Sequence, residues 1–201
     1  MSIRSALHRT NRSLWWLTGK IPFLKPLLLI LNSYVWMGRP EALLQFAPIG
    51  LYIRRFLAKL SLIVVSAWAL LKYGPQSGVI RADAMNLADI ALSLFPNVLG
   101  FGIGAYALLF TFPERFFPRL EERREAKNLQ VGAHGLNAIT AYPLLAIALI
   151  ILGCACSKIL VLSPRTSDTI GLAGILYGML MTMEVIAVLF VSARKVIRNS
   201  L

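Results

Sequence analysis

Apolar residues along this chain come in long blocks rather than in strict alternation. Four blocks approach the roughly 20 residues that cross a bilayer as a helix. They are FLAKLSLIVVSAWALLKY at 56–73, Leu87 to Phe112, Leu136 to Leu162, and Thr169 to Ala193. Between the first two, KYGPQSGVIRAD carries Gly-Pro and Ser-Gly turn signals. Between the last two, SPRTSD at 163–168 ends on Asp168, the expected cap of the fourth span. Ahead of residue 56 the pattern changes. LLLILNSYVWM (27–37) and LLQFAPIGLYI (43–53) are too short to span, and the second holds Pro48 and Gly50. They predict interfacial helices, with a hairpin that dips into one leaflet as the alternative. At the start, Ile3, Leu7, Thr10, Leu14 and Leu17 line one side of a helix and Arg4, His8 and Arg12 another. Trp15 and Trp16 suit the headgroup boundary.

The fold class expected is an all-α integral membrane protein. It has about four transmembrane helices plus N-terminal amphipathic or interfacial helices. Residues 1–55 form the basic interfacial region, 56–193 the four-helix domain with a connection at 113–135, and 194–201 a basic tail. Composition agrees: 57% of residues are apolar and 15% charged, against roughly 45–50% and about 25% in soluble domains.

The formal net charge of +12 sharpens orientation. Arg39, Arg54, Arg55 and Lys59 precede the first span, with Arg4, Arg9, Arg12, Lys20 and Lys25 further back. Arg115, Arg119, Arg123, Arg124 and Lys127 fill the second connection, and Arg194, Lys195 and Arg198 follow the fourth span. The other connections hold little beyond Lys72, Arg81, Lys158 and Arg165. This places both termini on the cytoplasmic side of a bacterial inner membrane, facing anionic headgroups. An Arg- and Ser-rich, acid-poor start also fits a mitochondrial inner-membrane protein. No recognition motif accompanies the charge, so no direct nucleic-acid partner is expected.

The second span carries an ordered stripe. At 100° per residue, Asn86, Asp89, Ser93, Asn97, Gly100, Gly104, Ala107 and Thr111 fall within roughly 80° of one another. Gly102 lies off the wedge, and Pro96 is expected to kink the helix near Asn97. GFGIG lacks the strand–turn–helix setting of a dinucleotide loop and the Lys-Ser/Thr of a phosphate loop. The stripe therefore reads as an oligomer face or a pore face. As a seam, Gly100 and Gly104 would let backbones approach while Ser93 and Asn97 bond across helices.

On the fourth span Gly171, Gly174 and Gly178 share a face that Met181 and Val185 continue, which predicts helix packing. Glu184, near Tyr177 and Met181, is the only acid deep within an apolar run. That makes it an intramembrane site candidate, with a hydrogen bond to Tyr142, Asn137 or Asn97 as the structural alternative. Arg119, Glu121, Glu122, Arg123, Arg124 and Lys127 form the most accessible place for a cytosolic protein to dock. His134, beside Gly132 and Gly135, reads as a boundary turn. Cys154 and Cys156 point to opposite sides of a helix and suit packing, not a mutual disulfide. No GxSxG, HExxH or paired-Asp box occurs, so no catalytic residue, metal or cofactor is expected.

At DIALSLFPNVLGFGIGAYALLF (89–110) the chain resembles small four-span bacterial inner-membrane proteins, some of them from anti-phage defence systems such as the membrane subunits of Kiwa. The resemblance implies a non-enzymatic oligomeric sensor or scaffold that recruits a cytosolic effector. An ion channel or membrane-permeabilising pore is the second expectation. A small transporter or lipid-acting membrane enzyme is the third.

Overall fold

A computed structural model describes residues 24–74, 86–108, 111, 117–118, 121–122, 133–160 and 162–200. Five helices carry the fold: α1 (Leu24–Val35), α2 (Ile49–Tyr73), α3 (Leu87–Leu108), α4 (Ala133–Ile159) and α5 (Pro164–Ser200). No strand occurs among the described residues. Four stretches are long and apolar enough to cross a membrane: Ile49–Tyr73, Leu87–Leu108, His134–Ile159 and Pro164–Ala187.

The span boundaries depart from the sequence expectation at several ends. The first span begins at Ile49, not at residue 56, so residues 49–53 of the 43–53 stretch belong to it. Pro48 occupies the N-cap and Gly50 the first turn, where neither residue interrupts hydrogen bonding. A wide i→i+5 turn at Ile53–Leu57 carries the helix onward. Lys59 consequently lies inside the apolar helix rather than flanking it. On α3, regular helix ends at Leu108, and residues 109, 110 and 112 of the expected span fall outside the described residues. The helix α4 starts at Ala133, so His134 is helical and not a turn residue. It closes at Ile159, short of Leu162. Ser163 caps α5, accepting from Thr166 N at 3.3 Å ahead of Pro164, and the helix starts five residues earlier than Thr169. Pro96 and Pro143 both lie within unbroken helices.

The chain divides into two compact units. In the first (residues 1–56 and 112–142), α1 ends in a Schellman turn. Gly38 N donates to Ser33 O at 2.8 Å and Met37 N to Tyr34 O at 3.1 Å. Met37 and Gly38 both have positive φ, 53° and 71°. A side chain at Gly38 would also run into the backbone of His134 and Gly135. Tyr34 stacks on Tyr142 with ring centroids 3.9 Å apart, and Phe56 meets Tyr142 edge-on at 6.4 Å.

Asn32 holds the irregular stretch that follows. It is fully buried. Its Nδ2 donates to Ala42 O at 2.7 Å and Gln45 O at 2.8 Å. Its Oδ1 accepts from Ala47 N at 2.8 Å and from the Tyr52 hydroxyl at 2.7 Å. A carboxamide offers two donors and one oxygen with two lone pairs, so all four positions are used.

In the second unit (residues 57–111 and 143–201), Ala88, Ala91, Phe95, Ile147 and Cys154 form a buried core, with Leu92, Val98, Leu99, Ile150, Ile151, Ile170 and Ile175 against it. Small residues set how closely the helices approach. Gly171 lies against the backbone of Leu87 and Ala88, Gly174 against Ile150, and Gly178 against the Phe95 ring. The contacts Leu87–Gly171 and Phe95–Gly178 advance in the same direction, so α3 and α5 run parallel. Ser157–Ser167 (3.2 Å) and Ile150–Gly174 make α4 and α5 antiparallel. Asp168 sits within α5, not at its cap. Its Oδ1 accepts from Leu87 N at 3.2 Å and so serves the first turn of α3.

Candidate functional site

The stripe on α3 faces outward along its whole length. Asn86, Asp89, Ser93, Asn97, Gly100, Gly104, Ala107 and Thr111 are all exposed. A side chain added at Gly100 or Gly104 would meet nothing within 4 Å. The polar members fold back on their own helix. Ser93 Oγ donates to Ile90 O at 2.9 Å, Asn97 Nδ2 to Ser93 O at 3.4 Å, and Thr111 Oγ1 to Leu108 O at 2.8 Å. Among the described residues, the cross-helix bonds expected of Ser93 and Asn97 are therefore not made.

Seating within the chain falls to the opposite face of α3. Leu87, Ala88, Ala91, Phe95, Gly102 and Ala105 are buried there. The glycine off the wedge, Gly102, is the one of the three that packs inside the chain, against the end of the Leu144 side chain. Helical periodicity separates the two faces of α3 but does not say which one meets the rest of the chain. On α5, Gly171, Gly174 and Gly178 are buried with Met181 and Val185. That small face is used for packing inside the chain, so it cannot also form an outward seam.

Glu184 finds its partner on α2. Lys59 Nζ donates to Glu184 Oε1 at 2.8 Å, the two side chains being 40% and 26% exposed. The sequence alone offers Tyr142, Asn137 or Asn97 as hydrogen-bond partners and does not single out Lys59, which falls in the basic flank of a span starting at 56. Lys59 stands about 15 Å along the axis from Ile49, well inside the helix. A lysine within apolar sequence opposite a lone acid is the signal that would have found it.

A second ion pair bridges the other end of the unit. Lys158 Nζ lies 3.0 Å from Asp89 Oδ2, with the carboxylate side chain 58% exposed. Beside the Leu87–Asp168 bond, it gives the start of α3 two acids. Negative charge at a helix N-terminus is favourable.

Of the expected docking residues, Glu121 is half-buried and Glu122 exposed, while Arg119, Arg123, Arg124 and Lys127 lie outside the described residues. Cys154 is buried and Cys156 exposed, both as free thiols. No cluster of metal-ligating side chains occurs among the described residues.

Large apolar side chains also face outward on all four long helices. Leu62, Val65, Ile103, Leu149, Leu152, Met183, Ile186 and Phe190 are all more than half exposed. At the end of α2, Lys72 Nζ sits 4.7 Å from the Trp68 ring centre and 5.1 Å from that of Tyr73. Comparison with family models, with curated proteins and with solved structures gives no match.

Proposed function

We propose that this chain is a non-enzymatic, multi-pass membrane subunit that associates with copies of itself through the outward stripe of α3. It acts as a sensor or scaffold, and the charged connection 113–135 recruits a cytosolic protein. Asn97 carries the reading. It lies at the middle of a helix long and apolar enough to span, and its carboxamide is exposed. A polar group at mid-bilayer almost always faces protein or water rather than lipid. With Gly100 and Gly104 one and two turns away and open to close approach, a second backbone fits there, and Asn97 gains interhelical bonds worth about 0.6–2 kcal/mol. The exposed aliphatic surface of the other spans fits acyl chains. The basic flanks support cytoplasmic termini at a bacterial inner membrane, and an anti-phage role follows the sequence resemblance.

Native mass spectrometry after mild detergent extraction tests the core of this. Wild-type protein is expected as a discrete oligomer, and Asn97→Leu or Gly104→Leu as smaller species. A wild-type monomer at all concentrations sinks the proposal.

The exposed stripe of polar and small residues from Asn86 to Thr111 also fits a wet path between copies. Ion flux through reconstituted liposomes that disappears on Asn97→Leu would favour that pore reading over the scaffold.

A further inference from the structure

We infer that residues 36–48, between α1 and α2, form a half-inserted loop, seated within the leaflet at which α4 begins and packed against lipid acyl chains. This rests on the reading of α2 to α5 as membrane spans, and it assigns a lipid-contacting surface to a segment that is not one of them.

Three observations converge. The first is depth. Gly38 abuts Gly135, at the start of the apolar stretch His134–Ile159. Tyr34 stacks on Tyr142 and Phe56 meets the same ring. Tyr142 stands eight residues past His134, about 12 Å further along the helix axis. An element lying on the surface could not bring Tyr34 that far in. The chain reaches the rim at Gly38, where Arg39 and Glu41 are exposed. It then turns back to wrap Asn32, two residues from Tyr34.

The second is polar satisfaction. Irregular backbone survives at hydrocarbon depth only if its N–H and C=O groups find partners in the protein. Asn32 supplies partners for Ala42 O, Gln45 O and Ala47 N. Local bonds serve others: Ala42 N to Arg39 O, Leu44 N and Gln45 N to Glu41 O, and Leu51 N to Pro48 O. Pro40 and Pro48 have no N–H to satisfy. A loop in water needs no such accounting, because solvent supplies the bonds.

The third is the outer surface. Leu43 is 55% exposed and Leu44 57%. In sequence they lead into Ile49 and Ile53, exposed on the first turns of α2. Apolar side chains outside and backbone polar groups gathered inward onto the Asn32 carboxamide, with the indole N–H of Trp36 the buried polar atom left unpartnered among the described residues, is an arrangement suited to acyl chains.

The experiment is spin-label accessibility in phosphatidylethanolamine–phosphatidylglycerol vesicles, on full-length protein carrying Cys154→Ala and Cys156→Ala. Single labels go at Leu43 and Leu44, with Val65 (60% exposed, on α2) as the spanning reference and Arg39 as the rim reference. Leu43 and Leu44 are exposed positions, so labels there leave the packing intact. The ratio of oxygen to nickel-chelate collisions at Leu43 and Leu44 is expected to match Val65 and to exceed Arg39. A ratio equal to that of Arg39, with Val65 still lipid-like, overturns the half-inserted loop and leaves the spans standing. Collisions with neither probe would mean that protein covers the loop, which also overturns it. A nickel-accessible Val65 would instead overturn the spanning reading on which the inference rests.

Discussion

Replacing Asn32 should unfasten the segment between α1 and α2 more than any other single polar substitution in the first unit. Asn32→Ala removes four hydrogen bonds of 2.7 to 2.8 Å at a fully buried position. Two carbonyls, one amide and one phenol lose their partner. A buried group left unpaired costs about 1–3 kcal/mol. Water entering the vacated space recovers part of that, and the Tyr52 hydroxyl is only part-buried. The expected loss is therefore about 3–5 kcal/mol, at the upper end for point substitutions. Tyr52→Phe sets an internal scale. It removes one neutral bond and should cost about 0.5–1.5 kcal/mol. Asn32→Asp keeps both acceptor bonds but turns a carboxylate oxygen toward the carbonyls of Ala42 and Gln45. It should be at least as damaging as Asn32→Ala. Reversible unfolding in mixed detergent micelles, followed by tryptophan fluorescence, measures all three. If Asn32→Ala destabilises no more than Tyr52→Phe, the carboxamide is not the organiser of this segment.

Further substitutions probe the second unit. Lys59→Met alone should destabilise by about 1–3 kcal/mol, between exposed and buried ion pairs. Adding Glu184→Leu should recover most of that, and a Lys59→Glu, Glu184→Lys exchange should retain the fold. A null coupling energy in the same unfolding assay would dismiss the pair. Gly178→Leu should lower stability by forcing Phe95 aside. Gly104→Leu, with open space around it, should leave subunit stability unchanged and alter only the oligomer distribution seen by mass spectrometry. Asp168→Ala should cost about 1 kcal/mol through the uncapped start of α3, read as faster amide exchange at Leu87 and its neighbours.

Much of this organisation is legible from the chain. Long apolar blocks locate four helices, and the 3.6-residue period places Asn97, Gly100 and Gly104 on one face. Glu184 stands out by being alone. What the sequence hides depends on contacts at a distance. Three of the four bonds to Asn32 involve backbone atoms, which carry no residue signature, so an asparagine in a short apolar run looks unremarkable. Gly102 and Gly104 are indistinguishable as letters, yet only one lies against Leu144. Pro48 and Gly50 look like breaks until the helix is seen to begin at them, and that start decides whether Lys59 flanks the span or sits in it. Asp168 has the right residue type for a cap, but it caps another helix, reached only through tertiary structure.

The Lys59–Glu184 pair also bears on how the chain is made. The partners are 125 residues apart in sequence. At about 5–20 residues per second, Lys59 leaves the ribosome roughly 6–25 s before its carboxylate exists. On the proposed membrane reading, the first span would enter the bilayer before the Glu184 carboxylate exists, and its ammonium would be best tolerated near the headgroups. The final seating of the first helix would then wait on synthesis of the last, and a nascent product stalled before Glu184 would lack this ion pair.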